Sequence, residues 1–332
     1  MLNISKILFL TTMILGTIMV ISSETWLGIW MGLEINMLSF VPVMYTFKNP
    51  RSAEGCMIYF LIQSIGSILM LMLILSNSLL VMYHLIVNEL LNMMLMFSIM
   101  IKLGMPPFHF WFPEIMVKMS WSNCAILMTW QKIAPMMVLM QLVPNCQQMT
   151  LIIIMATIIG AIGGLNQTAV KKIMAYSSIN HMGWIVACMK FNNILWIEYI
   201  LIYSVILIMM IVMFSFYSIS YINQMSLNSG YMEKTLIAIL FLSLGGMPPF
   251  LGFLPKWMVI QTMMMSNTLF TLTIMVLSSL ITLFYYLRMI STNFMINSPT
   301  WKWNLTTKPS PYISAFMILI NMSLPVVMTL SF

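Results

Sequence analysis

Gly104-Met105-Pro106-Pro107-Phe108 returns, residue for residue, as Gly246-Met247-Pro248-Pro249-Phe250, and a further proline follows each copy at the same spacing, Pro113 and Pro255. Both copies lie in long apolar stretches. Two adjacent prolines in a helix remove two N–H donors and clash with the preceding turn. Each stretch should therefore break at its Pro-Pro pair, a simple kink being the alternative. Irregular backbone at membrane depth is tolerated where it is buried in protein or lines a polar cavity.

Outward from these motifs the chain is apolar almost throughout. Of its 332 residues, 61% are hydrophobic and 6% charged, and all seven acidic residues are Glu. Mean hydropathy is +0.99. Soluble domains carry about 25% charged residues. A water-soluble enzyme, a nucleic-acid binder and a disordered chain are excluded as readings. The formal charge of +7 is spread along the sequence, without the clustered face that nucleic acid needs. Cys56, Cys124, Cys146 and Cys188 form no CxxC pair, which speaks against an iron–sulfur or zinc site and for small core residues. The 42 methionines have no evident physical necessity.

About 20 apolar residues cross the hydrocarbon layer as a helix. Eleven stretches qualify: roughly 2–21, 25–45, 57–76, 89–118, 121–143, 150–169, 173–189, 194–221, 235–262, 268–290 and 310–331. A short element at 79–88 is too brief to span. The first stretch, with its apolar run Ile7 to Ile21, lacks a small-residue cleavage site and reads as a span, a signal anchor being the alternative. The fold class expected is an all-α polytopic membrane protein in a single transmembrane domain, 1–332. The Pro-Pro motifs fall in the fourth and ninth spans, which run in opposite directions. That is the signature of two inverted five-helix repeats with broken helices, about 2–143 and 150–290, with an extra C-terminal helix at about 310–331.

Alternating the links between two sides gathers Lys6, Lys48, Arg51, Lys118, Lys171, Lys172, Lys234, Arg288, Lys302 and Lys308 beside the N-terminus, against Lys190 alone opposite. The positive-inside rule then places the N-terminus on the matrix or cytoplasmic side and the C-terminus across the membrane. The N-x-S/T triplets, such as Asn166-Gln167-Thr168, read as chance.

Glu34, Lys102, Lys132 and Lys256 fall well inside spans. A central charge costs roughly 2.5–3.5 kcal/mol on insertion scales. In general, burial makes an amine release its proton more readily and a carboxylic acid hold it more tightly, the coupling a proton relay needs. Fixed ion pairs are the alternative, or, for Lys256, snorkelling from a helix end. His181, in Ser177-Ser178-Ile179-Asn180-His181, is a further relay candidate and equally a satisfied core histidine. His109 and Glu114 follow the first break, lining an access path or sitting as helix-end polar groups. His84 lies in a link and reads as solvated. No P-loop, dinucleotide fingerprint or nucleophile elbow is present.

These residues carry a resemblance. Trp30-Met31-Gly32-Leu33-Glu34-Ile35-Asn36-Met37, Lys102-Leu103-Gly104-Met105-Pro106-Pro107-Phe108-His109-Phe110-Trp111, Trp130-Gln131-Lys132-Ile133-Ala134-Pro135, Tyr176-Ser177-Ser178-Ile179-Asn180-His181-Met182-Gly183-Trp184 and Gly252-Phe253-Leu254-Pro255-Lys256-Trp257 resemble, in order and nearly end to end, the mitochondrially encoded chain 2 family of respiratory complex I. The resemblance implies an antiporter-like fold and one proton path in the membrane arm of a proton-pumping NADH:ubiquinone oxidoreductase of the inner mitochondrial membrane. It implies Glu34 and Lys102 as a coupled acid–base pair, Lys132 as central relay and Lys256 as exit-side group. FMN, iron–sulfur clusters and ubiquinone are then bound by other subunits, with no cofactor or metal in this chain. Subunits 3, 4 and 4L, accessory subunits and membrane lipids are the expected partners. In this sequence the second repeat has no acid at the place of Glu34, and Lys102 aligns with Leu244 and Lys256 with Glu114. A free-standing cation/proton antiporter and a purely structural membrane subunit are the competing readings.

Overall fold

A computed structural model of the chain describes residues 4–46, 49–79, 86–143, 148–191, 194–224, 231–295 and 311–323. Among them the architecture is helical, apart from an isolated bridge between Ala169 and Tyr221. The chain separates into two compact units, Met1–Ile152 and Ile153–Phe332. Most of the proposed 79–88 element, His84 included, lies outside the described residues, as do Cys146 and the link around 296–310.

The first unit contains α1 (Ile4–Ser22), α2 (Trp26–Met44), α3 (Pro50–Leu79), α4 (Ile86–Leu103), α5 (Trp111–Lys118), α6 (Trp121–Met128) and α7 (Trp130–Leu142). Their starts are local chemistry. The Thr25 hydroxyl accepts from the Gly28 N–H at 3.3 Å and caps α2, while Pro50 opens α3, where its missing donor costs nothing. The second unit begins within α8 (Met149–Leu165) and continues through α9 (Val170–Phe191), α10 (Leu195–Phe216), α11 (Tyr231–Gly245), α12 (Phe253–Met265), α13 (Leu269–Met295) and α14 (Pro311–Asn321). Six stretches meet the length and apolarity of a span unaided: α1, α2, Pro50–Ser76 of α3, Trp121–Leu142 across α6 and α7, α10 and α13.

Both Pro-Pro motifs break their helices, and the breaks agree bond for bond. After α4, Gly104 turns to φ +69°; its N–H donates to Ile101 O at 3.3 Å, and Met105 N–H to Met100 O at 3.1 Å. After α11, Gly246 turns to φ +76°; its N–H donates to Ser243 O at 3.0 Å, and Met247 N–H to Leu242 O at 3.1 Å. This is the Schellman ending, which wants a left-handed residue and therefore glycine. Phe108 and Phe250 close the following turn on Met105 and Met247 at 2.8 and 3.0 Å. The fifth stretch, expected as one span, is also interrupted, at Thr129 (φ −113°, ψ −74°) between α6 and α7. Within α7, Pro135 withholds the donor that the Gln131 carbonyl would use.

A second correspondence joins the units. A side chain at Gly16 would meet the Asn36 backbone N at 3.0 Å, and one at Gly160 would meet the Asn180 backbone N at 2.5 Å. The opening helix pair of each unit thus crosses at a glycine set against an asparagine, 144 positions apart in both cases. By this register Glu34 matches Ser178 in the second unit.

Candidate functional site

In the first unit, the α4 break and the α6–α7 interruption face one cavity of about 20 Å³, room for one water molecule. Lys102, from the last turn of α4, and Lys132, from the first turn of α7, both line it. They are 8% and 6% exposed, so the unit holds two nearly buried amines against one small space. The Lys102 ammonium has no hydrogen-bond partner among the described residues, and the charge of Glu34, half-buried on α2, acts on it. The Lys132 ammonium stands over the Phe112 ring at 5.1 Å, a favourable place for a desolvated cation.

Among the apolar residues of the rest of the lining runs a set of hydrogen-bonding side chains that sequence reading passed over. Gln131 donates to Asn36 Oδ1 at 3.0 Å and accepts from the Tyr59 hydroxyl at 3.4 Å. Gln63 donates to the Lys102 carbonyl at 3.0 Å, and the Trp111 indole N–H to the Ile101 carbonyl at 3.2 Å. Gln63 thereby satisfies the carbonyl that Pro106 orphans, as a buried backbone requires, and Trp111 adds a donor to a carbonyl that Gly104 already bonds. The available signal was their type: Tyr59, Gln63 and Gln131 are hydrogen-bonding residues inside apolar stretches.

In the second unit, Lys256 on α12 is 5% exposed. Its ammonium donates to the Gly245 carbonyl at 2.7 Å and lies 5.9 Å from the Trp184 ring centre. This is an inward-turned amine, not a snorkelling one. His181, three residues before Trp184 on α9, pairs through Nδ1 with the Tyr199 hydroxyl at 2.9 Å and packs on the Tyr203 ring at 4.8 Å. That environment is one a satisfied core histidine would have, and it is equally a hydroxyl-linked one.

The remaining candidates sort differently. Glu114 points outward and pairs with Lys118 at 3.0 Å, which also binds Glu54 at 2.7 Å. His109 is buried within the first break, against the Pro107 carbonyl at 3.3 Å and the Phe110 ring at 4.2 Å. Cys56, Cys124 and Cys188 are buried thiols outside any disulfide, and those of Cys56 and Cys124 donate to the Val41 and Met116 carbonyls. Among the described residues no group of His, Cys, Asp and Glu could hold a metal ion.

Comparison with known proteins follows the same lines. The NADH:quinone oxidoreductase/Mrp antiporter transmembrane family matches residues 23–282. NADH-ubiquinone oxidoreductase chain 2 of Anopheles gambiae is 43% identical over 330 residues, 96% of this chain and 94% of that one. The chain 2 of Bos taurus is 37% identical over 341 residues, 98% and 97% of the respective lengths. In solved structures, a chain of respiratory complex I from Thermus thermophilus superposes with a TM-score of 0.83 at 20% identity, covering 98% of this chain and 77% of that one.

Proposed function

Because this chain belongs to the NADH:quinone oxidoreductase/Mrp antiporter family, and within it to the NADH-ubiquinone oxidoreductase chain 2 family, we propose that it is a core membrane-arm subunit of proton-pumping NADH:ubiquinone oxidoreductase in the inner mitochondrial membrane. It carries one proton path and leaves electron transfer to other subunits, which bind FMN, the iron–sulfur clusters and ubiquinone. Its neighbours are subunits 3, 4 and 4L with accessory subunits. The N-terminus faces the matrix and the C-terminus the intermembrane space across eleven spans, as the charge on the links supports.

The observation that carries the relay is the shared cavity, with two nearly buried lysines on its wall and a carboxylate acting on one of them. Membrane-buried ionisable groups are costly, and function is the usual reason they persist. Glu34 and Lys102 form the coupled pair: a proton gained by one changes the energy of charge on the other. Lys132 accepts across the cavity, and Lys256 serves the exit side. Gln131, Tyr59 and Asn36 hold the α6–α7 interruption in register with the first break. His181 exchanges protons with Tyr199 in a subsidiary role.

Gentle extraction of the native membrane tests the assembly. Co-migration with a large NADH-oxidising particle that is lost without this chain is expected; migration alone, with exchange of Na⁺ or K⁺ for protons after reconstitution, would make the chain a free-standing antiporter. Within the assembly, Lys102→Met should lower proton pumping and quinone turnover, and unchanged pumping would overturn the relay assignment.

A further inference from the structure

The second unit contains a pocket that the proton path does not use. Its volume is about 430 Å³, and Thr168, Tyr221, Ile222, Asn223, Arg288 and Thr292 line it. Five of these six side chains offer hydrogen-bonding groups, none is a carboxylate, and one is a fixed cation. Arg288 is anchored: one terminal nitrogen donates to the Leu165 carbonyl and the other to the Gln167 carbonyl at 2.8 Å, just past the end of α8. A guanidinium has five N–H groups, so each terminal nitrogen keeps one donor beyond these bonds. Lys171 and Lys172 follow Thr168 closely, in the first turn of α9, so the α8–α9 link that contributes to the pocket is basic.

The helix that carries Arg288 says what kind of anion fits. Along α13, Leu280, Phe284, Arg288 and Thr292 recur every four residues and therefore form one row. The row is apolar and bare first: Leu280 is 58% and Phe284 63% exposed. It then becomes cationic and hydroxylic at the pocket. An apolar stripe running into a cation and hydroxyls is the profile of an acyl chain followed by its headgroup. A free anion would have no use for the stripe. Basic pockets between spanning helices are recurrent sites for anionic headgroups, and a guanidinium matches phosphate geometry.

We propose that this pocket binds the phosphate headgroup of an anionic phospholipid, with Arg288 as the anchored cation, Thr168 and Thr292 as hydroxyl partners, and Leu280 and Phe284 as the bed for an acyl chain. The bound lipid fastens the end of α13 to the α8–α9 link through Arg288. The site is independent of the lysine relay.

The test uses the purified assembly, stripped by repeated detergent washing and then supplied with phosphatidylcholine alone or with added anionic phospholipid. Tightly retained lipid is counted by mass spectrometry. Arg288→Gln is the direct variant, but it also releases the α8 carbonyls. Thr292→Trp fills the pocket while leaving the Arg288 bonds in place. Both variants should retain one anionic phospholipid fewer per assembly than the unaltered protein. Equal retention in Thr292→Trp and the unaltered assembly would overturn the proposal. So would displacement of the retained lipid by millimolar inorganic phosphate, which would mark a free-anion site. A segment of a neighbouring subunit cross-linked into the pocket would overturn it as well.

Discussion

The two Pro-Pro breaks share one backbone and divide their chemistry. Each ends a helix on a left-handed glycine with the same pair of hydrogen bonds, 142 positions apart. Around the first, the Lys102 carbonyl, freed because residue 106 is proline, is met by a neutral donor, Gln63, the Trp111 indole adds a second donor to the Ile101 carbonyl, and the Lys102 ammonium is left facing a cavity. Around the second, the ammonium of Lys256 itself meets the Gly245 carbonyl, and the extra helix α14 reaches in, its Asn321 carbonyl accepting from the Leu251 N–H at 3.1 Å. One lysine is held in place by the break it adjoins, and the other is not. The same backbone break thus stands beside two ammonium groups with different partners.

Lysine replacement breaks this comparison most sharply. Lys102→Met should lower coupled turnover by at least about tenfold, the scale of a positioned acid–base group, with stability held or improved, because a buried charge is removed and no carbonyl is orphaned. Lys256→Met should lower turnover and also strip the Gly245 carbonyl of its donor, a cost of about 1–3 kcal/mol. Pumping assays beside thermal unfolding of the assembly separate the cases; equal destabilisation by both variants would refute the distinction. The glycines come next. Either Gly→Ala change places a side chain in a left-handed conformation at about 1–2 kcal/mol. At Gly246 the new Cβ would also stand 2.7 Å from Lys256 Cδ and 2.9 Å from its Nζ, whereas at Gly104 the nearest atom is Phe112 Cβ at 3.1 Å. Gly246→Ala should therefore impair turnover as well as stability, by displacing the ammonium, and Gly104→Ala chiefly stability. Gln63→Leu acts on stability alone, by about 1–2 kcal/mol through the Lys102 carbonyl, read as a lower unfolding temperature.

What sequence could disclose here was what the chain encodes locally. A Pro-Pro pair after glycine ends a helix whatever surrounds it, so both breaks were legible, as was the inward burden of Lys102, Lys132 and Lys256 in a chain that elsewhere excludes charge. The interruption at Thr129 was not, because threonine carries no helix-ending signal of its own. The Gln131–Asn36 and Tyr59–Gln131 bonds join residues 95 and 72 positions apart, and the His181–Tyr199 bond crosses from α9 to α10; no periodicity announces such pairs. A C-terminal helix was legible, expected over about 310–331 and described over Pro311–Asn321, but nothing in that stretch says that Asn321 closes the second break. Polar residues in apolar stretches told where partners were needed, and only folding told which partners they are.

Glu114 offers the finest test, since by the repeat register it occupies the place that Lys256 holds in the second copy. Equivalent register does not give equivalent surroundings. Lys256 is 5% exposed and points at its own break, while the Glu114 side chain is 57% exposed and paired with Lys118, one helical turn on. Lys118 keeps Glu54 at 2.7 Å whether or not Glu114 is charged. An exposed pair of this kind contributes about 0.5 kcal/mol or less and fades with salt. Glu114→Gln should thus change unfolding temperature barely, less at high than at low ionic strength, and leave pumping as it was. A loss of pumping comparable to Lys256→Met would mean that the first break uses its carboxylate as the second uses its amine, and the asymmetry drawn between them would fall.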